Sequence, residues 1–308
     1  FGVHLKARSD VAAALTSYRA ESHAEALLAG RQIAGAFDHL YENLRTISLL
    51  ASVRRIDRHG ETLSADGRQA IQQVFNNLAG DIAVSEVYVV PAELDPEAID
   101  PKTNEKEAPI LMFDKVRLGL DANADPDEAP DPNLPPTEEI DEYRALKEEM
   151  AQLKRRAPSL DGLKASDIPF DSTRPVITCD NSAFNATRND ADRTGPMFTV
   201  PFYGPDNAFR GVVAAIMLNN AVRQLLPAEK YALIDANTGA VFAPASAAQP
   251  RLSAASVVAQ APDPGLLYSE VTAVASSAPN ALFKLWAGRP DSDFYGSAEY
   301  RSLRRFSF

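Results

Sequence analysis

Phe198-Thr-Val-Pro-Phe-Tyr-Gly-Pro-Asp-Asn-Ala-Phe-Arg-Gly-Val-Val-Ala-Ala-Ile-Met217 sets two apolar, strand-favouring runs on either side of the polar turn Gly204-Pro-Asp-Asn207. Tyr231-Ala-Leu-Ile-Asp-Ala-Asn-Thr-Gly-Ala-Val-Phe-Ala243 repeats the pattern around Asp235-Ala-Asn-Thr-Gly239. Both read as β-hairpins, because β-branched and aromatic residues extend the chain while Gly, Asn and Asp supply the backbone freedom a tight turn needs. Asn219 to Leu226 between them reads as a short helix that closes one domain. The second hairpin, a strand at Leu266 to Val274 and the run Asn280 to Ala287 then make a smaller sheet.

Upstream, the stretch from about Ser9 to Ile56 has no Pro and no cluster of turn residues, so it predicts one long helix. Its apolar positions Val11, Leu15, Tyr18, Ile33, Phe37, Leu40, Leu44, Ile47 and Val53 recur mostly at three and four, which gives a stripe for a partner. At 1.5 Å per residue it spans roughly 60 to 70 Å. A second helix follows, capped by Ser64 and carrying Ile71, Val74, Phe75, Leu78 and Ile82 on one face. Strands are predicted at Val84 to Val90 and at Leu111 to Leu118. The tail from Phe294 reads as an exit helix with Arg301, Arg304 and Arg305.

Residues 119 to 170 interrupt this pattern with seven prolines, thirteen acids and six bases. Such composition resists burial and reads as a solvated insertion. Within it, Thr137 to Arg156 predicts a helix with acids early and Lys154, Arg155 and Arg156 late, matching the macrodipole. Tyr143, Leu146, Met150 and Leu153 give that helix an apolar seam. Asp121 to Asp127 begins like a calcium loop, but Pro126 and Pro132 stand where the turn Gly and the bidentate Glu belong, so no metal is expected. Asn185-Ala-Thr187 fits the glycosylation pattern and reads as loop sequence.

The net charge of -11 argues against a nucleic-acid partner, whose phosphates require clustered Lys and Arg. The single cysteine, Cys179, excludes an internal disulfide and, with no His near it in sequence, reads as a structural thiol. The four histidines all precede residue 60. No phosphate loop, nucleotide fingerprint or nucleophile elbow is present, so neither a cofactor nor catalysis is expected of this chain. No apolar run reaches the roughly 18 to 20 residues of a membrane span. The chain opens on Phe1 rather than Met, which leads us to expect a fragment whose flanking anchors lie outside it.

This order of elements resembles the extracytoplasmic double Cache, or double PAS-like, sensor domains of bacterial histidine kinases, chemoreceptors and diguanylate cyclases. Phe202-Tyr-Gly-Pro-Asp-Asn-Ala-Phe-Arg-Gly-Val-Val213 and Leu233-Ile-Asp-Ala-Asn-Thr-Gly239 carry the likeness. The resemblance implies an α+β fold: a long N-terminal signalling and dimerisation helix (1–57), then two PAS-like domains with antiparallel sheets. The larger, membrane-distal domain (58–228) would contain the insertion 119–170; the smaller, membrane-proximal one would span 229–290, with 291–308 leading to a membrane span. The acidic insertion is longer than the family's usual one. The family's Arg-x-Trp pattern for amino-acid ligands is absent, since the only tryptophan is Trp286.

The implied activity is sensing of a small molecule by the periplasmic part of an inner-membrane receptor, with relay to a cytoplasmic output and a homodimer formed through the N-terminal helix. The implied pocket lies on one face of the distal sheet. Residues able to line it are Tyr88, Phe113, Asp114, Arg174, Thr178, Asp180, Thr199, Phe202 and Tyr203. Arg174 could clamp a carboxylate at two points and Asp180 could receive an ammonium. A free-standing periplasmic binding module and a small hydrolase, with Asp114 and Asp180 as its available carboxylates, stay open as alternatives.

Overall fold

The computed structural model describes residues 2–79, 84, 86–114, 140–178, 190–244 and 254–305. The fold is α+β, with a long N-terminal helix and two principal antiparallel sheets. The chain divides into a larger unit, 35–225 with 276–282, and a smaller one, 1–34 with 226–275 and 283–308. Helix α1 (Gly2–Leu49) contributes to both, dividing between Ala34 and Gly35. It starts earlier than its sequence suggests and stops at Leu50, whose extended backbone separates it from α2 (Ala51–Arg54). Among the described residues no helix is long and apolar enough to cross a membrane.

The larger unit continues with α3 (Ala65–Ala79), β1 (Glu86–Pro91), β2 (Ile110–Asp114), α4 (Ile140–Arg156), β3 (Asp171–Ser172), β4 (Val176–Ile177), α5 (Asp190–Arg193), β5 (Thr194–Gly195), β6 (Met197–Tyr203), β7 (Phe209–Ile216) and α6 (Asn219–Gln224). Its main sheet has the order β2-β1-β7-β6-β3, and β4 pairs separately with β5. Side chains alternate between the two faces along each strand. On one face, α1 brings Phe37 against Phe198 (5.5 Å between ring centroids) and Tyr41 against Phe170 (5.4 Å). On the other, Ala145, Leu146, Met150 and Leu153 of α4 pack with Tyr88, Val90, Met197, Tyr203, Val212, Ala214 and Ile216. Central strand β7 is therefore covered on both sides, which is why Val212-Val-Ala-Ala-Ile216 is a continuous apolar run.

The β6–β7 turn places Asn207 at φ 62° and is tied by Arg54, whose Nε donates to the Tyr203 carbonyl (3.1 Å) and whose Nη2 donates to Gly204 O and Asn207 Oδ1 (2.7 Å each). Gly211 has φ 147°, and a Cβ there would overlap the Val90 carbonyl oxygen on the neighbouring strand. Ser64 caps α3 through a bond from Gly67 N (3.0 Å), as its position before the helix predicts.

In the smaller unit, β8 (Tyr231–Asp235), β9 (Val241–Phe242), α7 (Ala254–Ala259), β10 (Tyr268–Ala273) and β11 (Phe283–Arg289) form a sheet of order β10-β11-β8-β9 with its helix. Helices α8 (Asp291–Tyr295) and α9 (Ala298–Arg305) follow. Small buried residues Ala26 and Ala29 let the first part of α1 approach this sheet, and Glu25 accepts from Lys230 (2.8 Å) and Arg289 (2.7 Å). The second hairpin turns on Asp235, whose Oδ1 accepts from the N–H groups of Asn237 (2.8 Å) and Thr238 (3.0 Å), with Gly239 at φ 74°.

Candidate functional site

Register across the larger sheet aligns Tyr88 of β1 with Ala214 of β7, Ala214 with Thr199 of β6, and Thr199 with Asp171 of β3. Directly paired residues point to the same side of an antiparallel sheet, so these four form one row, and it lies on the face covered by α4. Ala214 at its middle presents only a methyl group. A neighbouring row carries Glu86 beside Ile216 and Met197. Helix α4 closes over this face and buries two carboxylates of its own, Glu142 and Glu149, spaced one heptad apart alongside Leu146 and Leu153.

The polar groups of this region are held almost wholly out of solvent: Glu86, Tyr88, Glu142, Glu149, Asp171 and Thr199 are each 4 % exposed or less. The Tyr88 hydroxyl donates to the Glu86 carboxylate. Arg156, at the end of α4, pairs with Asp171 and comes within 3.9 Å of Glu149, so one half-exposed guanidinium ties the covering helix to the edge strand. Thr199 is fully buried, and its Oγ1 has no hydrogen-bond partner among the described residues. A buried hydroxyl left without a partner costs about 1–3 kcal/mol, so this atom marks a place where a guest can recover free energy.

Of the residues singled out in the sequence, Tyr88 and Thr199 meet in this row. Tyr203 lies on the same face, its hydroxyl donating to Ala157 O just beyond α4 (3.2 Å), and burial pushes its pKa up to about 12. Thr178 is buried and engaged: its Oγ1 donates to Arg193 O (2.8 Å), pinning the end of β4. Arg174 is exposed in the β3–β4 connection. Phe113 and Asp114 belong to β2, their backbones opposite Val87 and Glu86. Phe202, one residue before Tyr203, falls on the opposite face and lines a different cleft, with Pro91, Pro205 and Arg210.

Asp180, Cys179, Asn185 and residues 119–139 of the acidic insertion, with the calcium-like stretch from Asp121, lie outside the described residues. Sequence reasoning passed over Glu86, Glu142, Glu149 and Asp171. The seam read on α4 had Tyr143, Leu146, Met150 and Leu153; the heptad partner spacing of Glu142 and Glu149 beside Leu146 and Leu153 was the available signal.

No protein-family model matches the chain, and no curated protein matches it. Among solved structures, the chain is similar to the ligand-binding domain of an amino-acid chemoreceptor from Pseudomonas aeruginosa PAO1, solved in complex with GABA. That similarity has 13% identity and a TM-score of 0.46, covering 88% of this chain and 99% of that one. It is similar to a methyl-accepting chemotaxis protein at 12% identity and TM-score 0.47, covering 89% and 98%. It is also similar to the extracellular domain of a candidate histidine kinase at 10% identity and TM-score 0.45, covering 96% and 99%.

Proposed function

We propose that this chain is the extracytoplasmic sensor region of a bacterial membrane receptor and binds a small molecule in the larger unit, between the Tyr88–Ala214–Thr199–Asp171 row and α4. The observation that carries the reading is the fully buried Thr199 hydroxyl, without a partner among the described residues, within a polar row under a helix. Tyr88 and Thr199 are the residues that touch the ligand, and Arg156 governs how closely α4 seats over it. Asp114, Arg174, Thr178 and Tyr203 border this region in the proposal, with Arg174 at its exposed rim.

Binding favours one of two arrangements of the receptor in proportion to its differential affinity for them, and the smaller unit with α8 and α9 passes the bias towards a cytoplasmic output. In this reading the larger unit is membrane-distal, segments beyond this chain anchor it, and the apolar stripe of α1 pairs two copies. The element order, a long helix followed by two sheet-bearing units and an exit helix, supports it.

A thermal-shift screen of amines, organic acids and nucleobases tests the binding claim. A ligand that raises the melting temperature of the wild type is expected to lose its effect in Thr199→Val and weaken in Tyr88→Phe. A ligand whose effect is unchanged in both variants removes the site from this row.

A further inference from the structure

The opposite face of the same sheet carries a second cleft, of about 540 Å³, that the proposed sensor site does not use. Pro91 and Phe202, the register partners of Gly211 on either side, line it. Between these two, Gly211 has no room for a Cβ, which would meet the Val90 carbonyl oxygen and the Phe202 ring. One wall is the run Arg54-Arg-Ile-Asp-Arg58 at the end of α2; the other includes Glu93, Glu107, Pro205 and Arg210.

Four guanidinium groups line this cleft in a chain of net charge -11. Two are matched by carboxylates: Arg58 by Glu107 (3.1 Å) and Arg210 by Asp206 (2.8 Å). The other two are not. Half-buried Arg54 spends its donors on two carbonyls and the Asn207 amide, all neutral, so its charge is fixed in place without a counter-ion among the described residues. Exposed Arg55 makes no side-chain hydrogen bond or ion pair among the described residues. Of the acids not paired with these arginines, Asp57 is turned back onto Thr62, accepting from its N–H (3.2 Å), and Glu93 is exposed at the rim.

We propose that this cleft is a second ligand site, for a small molecule with an oxyanion head and an apolar body. The oxyanion, a carboxylate or a phosphate, is held by Arg55 beside the fixed charge of Arg54, and the body lies on Phe202, Pro91 and Pro205. A guanidinium offers two parallel N–H donors to such a group, and the apolar floor favours an organic anion over a hydrated inorganic one. Glu93 at the rim disfavours a second negative charge on the outward side of the ligand.

Isothermal titration of the whole chain at low ionic strength with benzoate, phenyl phosphate, inorganic phosphate and benzyl alcohol tests this. Benzoate or phenyl phosphate is expected to bind, and which of the two binds more tightly identifies the head group. Inorganic phosphate and benzyl alcohol should each be at least about tenfold weaker, since each lacks one of the two contacts. Arg55→Ala should weaken the aryl anion about tenfold, the loss of one charge-assisted pair, and Glu93→Gln should tighten it. Thr199→Val on the other face should leave it unchanged, which separates this site from the sensor site. Neither aryl anion binding at millimolar concentration, equal binding by Arg55→Ala, or loss of binding in Thr199→Val each overturns the proposal.

Discussion

Replacing Thr199 by Val should make the ligand-free protein more stable while removing its response to ligand. Thr199 is 0 % exposed and its hydroxyl finds no partner among the described residues, so the folded state carries the desolvation cost of that group with nothing returned. Val keeps the branched shape that β6 favours and puts a methyl group where the hydroxyl was. Relief of the unsatisfied hydroxyl is worth about 1–2 kcal/mol. In a unit the size of the larger one, each kcal/mol raises the melting temperature by about 2–4 °C. Urea denaturation followed by far-UV circular dichroism measures the change directly. Thr178→Val is the control, since that hydroxyl donates to Arg193 O at 2.8 Å and its loss should cost about 1 kcal/mol. If Thr199→Val is destabilised as much as Thr178→Val, the Thr199 hydroxyl is bonded in the ligand-free protein. The reason for seating a ligand group there then disappears.

Gly211→Ala should destabilise the larger unit by about 2–4 kcal/mol, because the added Cβ meets the Val90 carbonyl at a backbone angle that L-residues rarely adopt; a fall in the urea midpoint checks it, and an unchanged midpoint would contradict the geometry of the β1–β7 pairing. Asp100 is held below the usual carboxylate range by the backbone N–H of Lys102 and then by the His59 ring, whose Nε2 lies 2.6 Å away. A lowered folded value means that the carboxylate's contribution is complete above the unfolded value of about 3.9 and is lost as pH falls through the lower folded one. Melting temperature measured across the acid range should therefore fall less steeply in Asp100→Asn than in the wild type, and parallel curves would refute the assignment.

The hairpins were legible because their determinants are local. Asp235 folds its side chain onto the N–H groups two and three residues on, and Gly239 follows in the left-handed region, all within one short stretch. The charge gradient of α4 likewise sits inside the helix it stabilises, and its described part opens at Ile140, within the stretch expected from Thr137. The end of α1 was less legible: nothing in Leu49-Leu50-Ala51 announces a break, since Leu and Ala are good helix formers.

Alternation alone says that Phe202 and Tyr203 face opposite sides of β6, and no residue of β6 says which side α4 will cover. That choice is made by packing between residues distant in sequence: Leu146 and Leu153 against Val90, Ile216 and Tyr203 on one side, and Phe37 against Phe198 on the other. It sends Tyr203 to the face of Thr199 and Tyr88, and Phe202 to the cleft of arginines. The same packing buries Asp171 with Glu142 and Glu149, the last two from a solvated, acid-rich stretch that gave no reason to expect them inside, and gathers Arg54 and Arg55 beside Pro91, Glu107 and Arg210. The chain's own sequence thus determined the order and kind of its elements, because turn chemistry and periodicity act between near neighbours. Which side chains share a site was decided only by the tertiary fold, because register and the covering of each face depend on residues far apart in sequence, such as Tyr88 with Ala214 and Arg54 with Tyr203.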